Sequence, residues 1–355
     1  MNRDESIMKK ILGLTIVVLS LLILLVPSSQ ASGDINHSYY YYGQLDDNER
    51  AIYDTLCNAS PSIREIDVTL PISITLKGED AENMIVDILN KMVKRIRFAI
   101  EFGEPMSTWG WYGCTMGLSG IITTNADSIT LAGVKATLDV SAAWDDPETS
   151  EDELAEKHLS LRKVVDVFTP KSTDRRGIVG EINQYLMDTV TYDPHFGNSE
   201  KESPYAHDAY GALATDNHYA VCDGYAKAFM ILCMKAEIPC VIDIGSSNRI
   251  TWNTGHAWNY VSVEDKKWHA IDVTWNDSTN NAYFLKGTDT FFMDHQQGTI
   301  IAPNFRSPFL IPSIEDSQYD PLPTSYENYL WIAGIVILLL LGLIVFREIR
   351  KNKTK

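Results

Sequence analysis

The sequence predicts an α+β fold in which a helix carrying a cysteine packs on an antiparallel sheet carrying a histidine and an aspartate, behind a smaller N-terminal α+β module. Three observations lead there. In AVCDGYAKAF (220–229), Cys222 sits in a short turn before Gly224, and Ala226, Phe229, Met230 and Cys233 then recur at helical spacing. CVIDIG, HAWNYVSV and KWHAIDVTW read as strands, the last two forming a hairpin through Glu264-Asp265-Lys266. Upstream, REIDVTLPISITL (64–76) alternates apolar and polar residues as a half-buried strand does, with Pro71 marking an edge or break. A helix follows it, opened by Asp80, with Met84, Ile88, Leu89, Met92, Val93 and Ile96 expected on one apolar face.

The two ends have a different character. Residues 11–26 form an unbroken apolar run after Lys9 and Lys10, and a small-x-small site at Ser29-Gln30-Ala31 follows. That is the layout of a secretory signal covering residues 1–31, an uncleaved anchor being the other reading. Residues 329–346 contain a second uncharged run, closed by Arg347, Arg350, Lys351, Lys353 and Lys355, which reads as a stop-transfer helix with a cytoplasmic tail at 347–355. Leu322-Pro323-Thr324-Ser325 has the layout of a wall-sorting signal but lacks its glycine, so a retained membrane anchor is expected.

Between these ends the chain divides at a helix-prone acidic stretch. Residues 35–150 read as an α+β module in which GIITTNADSITLAGVKATLDV forms further strands, and Trp109, Trp111 and Tyr112 are aromatic candidates for core or a binding patch. DPETSEDELAEKHLSLRKVV (146–165) reads as a connector or the first helix of the second domain, and residues 176–191 as another amphipathic helix. The second domain is placed at 151–295, and residues 296–328, with five prolines, are expected to be an extended spacer. His195, His207 and His218 lie in a polar, loop-like stretch, at spacings that fit no compact metal motif, so they are expected in solvent.

The chain has 355 residues, 45% of them hydrophobic, which is enough for two domains with a large core. The formal net charge is −17, and basic residues cluster at both ends, so the middle is more acidic still. Such a surface excludes nucleic acid as an expected partner. No calcium-loop or cofactor motif is legible, and neither a cofactor nor a metal is expected. The cysteines number five, an odd count that leaves one free thiol in an exported protein, and Cys222 is the candidate.

Cys222, His256 and Asp272 occur in the order thiol, imidazole, carboxylate. A thiol at a helix N-terminus meets unpaired N–H groups and the positive end of the helix dipole, which favours its reactive form. The C-x-G-Y-A-K-A-F turn and helix, G-H-A-W-N-x-V and D-V-T-W-N-D resemble the transglutaminase-like superfamily, relatives of papain-type cysteine enzymes. YGAL (210–213), YFL (283–285) and His295 extend the resemblance, whereas Asn276 stands where the family usually has an acidic residue. The resemblance implies a papain/transglutaminase-like core with Cys222 as nucleophile, His256 as base and Asp272 as the group orienting the imidazole. It implies acyl transfer or hydrolysis on protein or peptide amides outside the cell, with the membrane engaged through the C-terminal helix. The alternative is a catalytically silent adhesion or scaffold module of the same fold.

One internal condition attaches to those roles. If Val263 opposes Lys267 across the hairpin, Trp258 opposes position 272, and His256 and Asp272 share a face. A two-residue loop would put them on opposite faces, because a one-residue slip inverts every side chain. The triad therefore requires an odd-length turn, the three residues Glu264-Asp265-Lys266. Tyr219, Tyr225 and Trp258 flank the site as cleft or core residues, and the Cys222 backbone N–H is the expected oxyanion donor.

Overall fold

The computed structural model describes residues 40–58, 65–78, 80–108, 115–125, 128–139, 150–197, 201–247, 255–264, 266–298 and 307–319. The signal-like N-terminus, Trp109, Trp111, Tyr112, Cys114, the Leu322–Ser325 segment, the apolar run at 329–346 and the basic tail lie outside them. Among the described residues, no helix is long and apolar enough to cross a membrane.

Helix α1 (Asp47–Cys57) starts on a capping box, with Asp46 accepting from the Glu49 N–H and Glu49 reaching back to the Asp46 N–H. Strand β1 (Glu65–Lys77) precedes the long helix α2 (Ala81–Gly103), and β2 (Thr115–Thr124) and β3 (Ser128–Asp139) form a hairpin. The sheet order is β1-β3-β2, so β1 is an edge strand, and its register with β3 shifts between Leu70 and Ser73, around Pro71. Proline cannot donate to a ladder, and an edge with a bulge is where it can stand. The buried stripe of α2 runs through Ala81, Ile85, Met92 and Ile96 to Ile100. Met84, expected on that face, is 45% exposed. Asp80 occupies the N-cap but makes no side-chain capping bond.

The second half opens with α3 (Glu151–Val167), capped by Ser150, and α4 (Arg175–Thr189), capped by Asp174. Two short parallel strands, β4 (Thr191–Tyr192) and β5 (Tyr219–Ala220), bracket the short helix α5 (Ala209–Ala214). Helix α6 (Cys222–Lys235) is buried from Asp223 to Cys233 on every side. A helix apolar all round belongs in the middle of a fold, and α6 packs against α3, α4, α5 and the following sheet. Fully buried side chains such as Phe229 contribute about 1.5–3 kcal/mol each.

That sheet has the order β8-β7-β6-β9, built from β6 (Cys240–Ser247), β7 (Gly255–Glu264), β8 (Lys267–Ile271) and β9 (His295–Gln297). Its strands are antiparallel. The α+β architecture expected from the sequence is the one found.

Residues 307–319, expected as part of a free spacer, pack on both halves instead. Phe309 stacks near Tyr41 and Phe98, with the Arg95 guanidinium 4.4 Å above its ring. Arg95 also pairs with Glu49 at 2.7 Å and donates to the carbonyls of Gln44 and Pro308. Glu315 N–H donates to the Trp268 carbonyl, and Tyr319 N–H to that of Leu285. Apolar Phe309 and Ile314, each 8% exposed, explain why the segment stays down despite its prolines.

Candidate active site

Cys222 is the first residue of α6 and is half-buried. The backbone of the preceding loop lies hard against this turn: Val221 N–H donates to the Ala206 carbonyl, and a Cβ at Gly224 would sit 2.3 Å from the same oxygen. Glycine at 224 is what lets the loop backbone approach this turn so closely. Val221, at the N-cap, offers no side-chain acceptor to the first-turn N–H groups.

His256 enters from β7, opposite Gly245 of β6. Asp272 stands one residue beyond β8, not on the strand itself, where it caps helix α7 (Val273–Thr279) through its Oδ1 and the Trp275 N–H. Both side chains are buried, and His256 Nε2 lies 2.8 Å from Asp272 Oδ2. An ionised carboxylate only accepts, so Nε2 carries the proton and faces Asp272. Nδ1 is buried and makes no well-formed hydrogen bond, and it is the ring nitrogen left for the thiol.

The charges agree with that placement. Burial alone would push the His256 imidazole down, but the Asp272 carboxylate, and after it the Cys222 thiol, carry it up to about 9. Burial would likewise push Asp272 up, yet His256 and His295 hold it well below the usual carboxylate range.

The three-residue turn expected at Glu264-Asp265-Lys266 is not the one found, although the strands beyond it keep the expected pairing. Asn259 pairs with Ile271 and Val261 with His269, which is the register the triad needs. At the tip, however, Glu264 pairs with Lys267, which leaves a two-residue turn. A bulge between Val261 and Glu264 opposes Ser262 and Val263 to Trp268 alone, and this extra residue restores the parity. Lys266 takes the left-handed conformation at φ 63°, as a tight turn demands.

Among residues flagged by the sequence, Trp258 (1% exposed) and Tyr225 (0%) are core, and Tyr225 donates its hydroxyl proton to Asp277 at 2.8 Å. Asn276 is buried and structural: its amide donates to Asn183 Oδ1 at 2.8 Å and accepts the Tyr283 N–H at 2.7 Å. A carboxylate could not supply the first of these bonds. His207 is not a solvated loop residue. Its Nδ1 lies 2.8 Å from Asp223 and its Nε2 2.8 Å from Glu202, because the loop folds back onto the first turn of α6. His269 is on the far side of the sheet, its ring 5.4 Å from Tyr319. We expect His269→Ala to leave Cys222 alkylation unchanged in rate while lowering thermal stability. A loss of alkylation in folded protein would mean that the wrong histidine has been assigned.

His295 was legible only as part of the resemblance; its contact with Asp272 comes from β9 folding back beside β6. Its Nε2 is 3.1 Å from Asp272 Oδ2, so His256, Asp272 and His295 bring donor atoms within 4.8 Å of one another. Both separations to Asp272 are hydrogen-bond lengths, and both Nε2 atoms must carry protons to make those bonds. Those protons occupy the lone pairs a cation would need, so the cluster does not fit a metal ion.

A sequence model of the transglutaminase-like superfamily matches residues 162–273, the stretch that contains Cys222, His256 and Asp272. Comparison with curated proteins found no match. Among solved structures, a protein from Cytophaga hutchinsonii named provisionally as a cysteine protease aligns with 48% of this chain and 68% of its own, at 14% identity and a TM-score of 0.25. A TGase aligns with 73% of this chain and 65% of its own, just under two thirds, at 14% identity and a TM-score of 0.28.

Proposed function

From a chain that carries a transglutaminase-like domain over residues 162–273, we propose an exported, membrane-anchored cysteine enzyme that acts on protein or peptide amides through a thioester on Cys222. The observation that carries this reading is the His256 ring, which gives Nε2 to Asp272 and keeps Nδ1 for the thiol. The Cys222 sulfur, its proton already passed to His256 Nδ1, attacks the amide carbonyl, and the oxyanion meets the Cys222 backbone N–H. His256 then returns the proton to the departing amine, leaving the acyl group on sulfur. Water or a second amine attacks the thioester, His256 takes the incoming proton, and the thiol is regenerated. Asp272 holds the tautomer throughout.

Two products share this intermediate. Incubating the full chain with a glutamine peptide and a fluorescent amine decides between them: amine incorporation identifies a cross-linking acyltransferase, and release of acid or peptide identifies a hydrolase. Neither product, together with an inert Cys222, would sink the enzymatic reading in favour of a silent surface module. Export rests on the signal-like 1–31 and the apolar 329–346 with its basic tail. Protease added to intact cells is expected to remove residues 32–328 and spare the tail; a protected ectodomain overturns the localisation.

A further inference from the structure

We propose that His295 is a positioning residue of this site, an imidazolium clamped between Asp272 and Asp294 that fixes the carboxylate behind His256 and offsets its negative charge. The proposal rests on the thiol chemistry assigned above to Cys222.

The geometry fixes the charge. The His295 side chain is 0% exposed; its Nε2 lies 3.1 Å from Asp272 Oδ2 and its Nδ1 2.8 Å from Asp294 Oδ1. Two carboxylates only accept, so both ring nitrogens must donate, and a ring with two N–H groups is a cation. Burial opposes that charge, and the hydrogen bonds to Asp272 and Asp294 outweigh it, holding the imidazole above its usual range. The ring cannot turn out of the clamp. Phe291 stacks on it at 4.0 Å and Trp275 lies 4.4 Å away. Asp294 is itself held, accepting the Tyr283 hydroxyl proton at 2.6 Å.

The titratable groups facing His295 are Asp272 at the cap of α7, His256 on β7, Tyr283 before β9, and Asp294 beside it in sequence. His256 and His295 thus lean on one oxygen, with ring centres 5.5 Å apart. A second cation at that distance lowers the proton affinity of His256 by on the order of one to two pH units. The effect matters for turnover, because an imidazole held too tightly by Asp272 is a poor donor to the leaving amine. His295 also keeps Oδ2 aimed at the base when the His256 proton moves.

Asp294→Asn removes the charge and keeps the bonds. The amide can donate to a neutral His295 Nδ1 while its oxygen still accepts from Tyr283, so every partner stays satisfied. The measurement is the pH dependence of Cys222 alkylation by iodoacetate on the full chain, mapped by mass spectrometry. Iodoacetate is an anion whose approach the protonated imidazole favours, so the rate falls at high pH as His256 deprotonates, near 9 in the native protein. In Asp294→Asn this descending limb is expected to move up by about one pH unit. A limb that stays in place, whatever the change in overall rate, overturns the proposal. Should the variant not fold, ¹⁵N-histidine spectra of the native full chain decide the same point. His295, identified by its contact with Phe291, is expected to carry protons on both nitrogens at pH 7.5, and a neutral ring overturns the clamp. An inert Cys222 at every pH would instead remove the thiol chemistry itself, a result distinct from an active thiol with an unmoved limb.

Discussion

Cys222→Ala is expected to abolish turnover and covalent labelling together, a fall on the order of 10⁶-fold to the background rate, with the fold intact. Alanine suits the first turn of a helix, and Cys222 is only half-buried, so the change in stability should stay within about 1 kcal/mol. Iodoacetamide followed by mass mapping checks the labelling, and the pH titration of His256 supplies a second reading. The thiol is one of the groups that raise this imidazole. Its removal therefore lets the His256 titration slide to lower pH, although Asp272 keeps most of the elevation. Turnover surviving in the folded alanine variant would remove Cys222 from the chemistry altogether.

Asp272→Asn should lower turnover by roughly 10³–10⁴-fold, because the imidazole loses the acceptor that sets its tautomer. It should also destabilise, which the sequence alone did not foretell. Asp272 accepts three N–H groups, from His256 and His295 on Oδ2 and from Trp275 on Oδ1. An asparagine has one acceptor oxygen, so in either amide orientation its NH₂ faces a donor. The loss is about 1–3 kcal/mol, from a broken cap or an unmet buried N–H. The pH profile of stability carries the sign. His256 is raised from 6.5 to about 9, so its contribution is whole below about 6.5 and is lost as pH rises through 9. Asp272 is depressed, so its contribution is present above the ordinary carboxylate range and is lost as pH falls below it. In Asp272→Asn both slopes should flatten in denaturation measured from pH 2 to 10. A profile as steep as the native one would place the coupling elsewhere.

Much of the site could be read from local pattern because its parts are local. Cys222 begins a helix whose apolar spacing is visible, and His256 lies on a strand of β-branched and aromatic residues. What escaped was decided at long range. His295 reaches Asp272 only because β9 pairs with β6, where a Cβ at Gly245 would lie 2.1 Å from the Gln296 carbonyl. Nothing in the spacing of residues 245 and 296 announces that approach. His207 has a loop composition, and its carboxylate clamp comes from Asp223 on a different element. The segment 307–319 reads as a spacer by its prolines, yet two apolar side chains and a few backbone bonds hold it down. In α2 the periodicity was right and its phase was partly wrong, since Met84 belongs to the outward face.

The bulge in the β7–β8 hairpin sets the regularity of the sheet against the geometry of the site. With Glu264 paired to Lys267, an unbroken ladder would bring Asn259 opposite position 272 and swing that carboxylate to the face away from His256. That alternative pairing keeps more ladder bonds and differs by a single step, so it is a near competitor of the native state, a spot of local frustration. Deleting one residue between Val261 and Glu264 would relieve it, giving a tidier hairpin that keeps Asn259 opposite Ile271 and so leaves Asp272 on the face of His256. A single deletion inside the bulge is therefore tolerated, whereas straightening the hairpin at its full length inverts the face of Asp272.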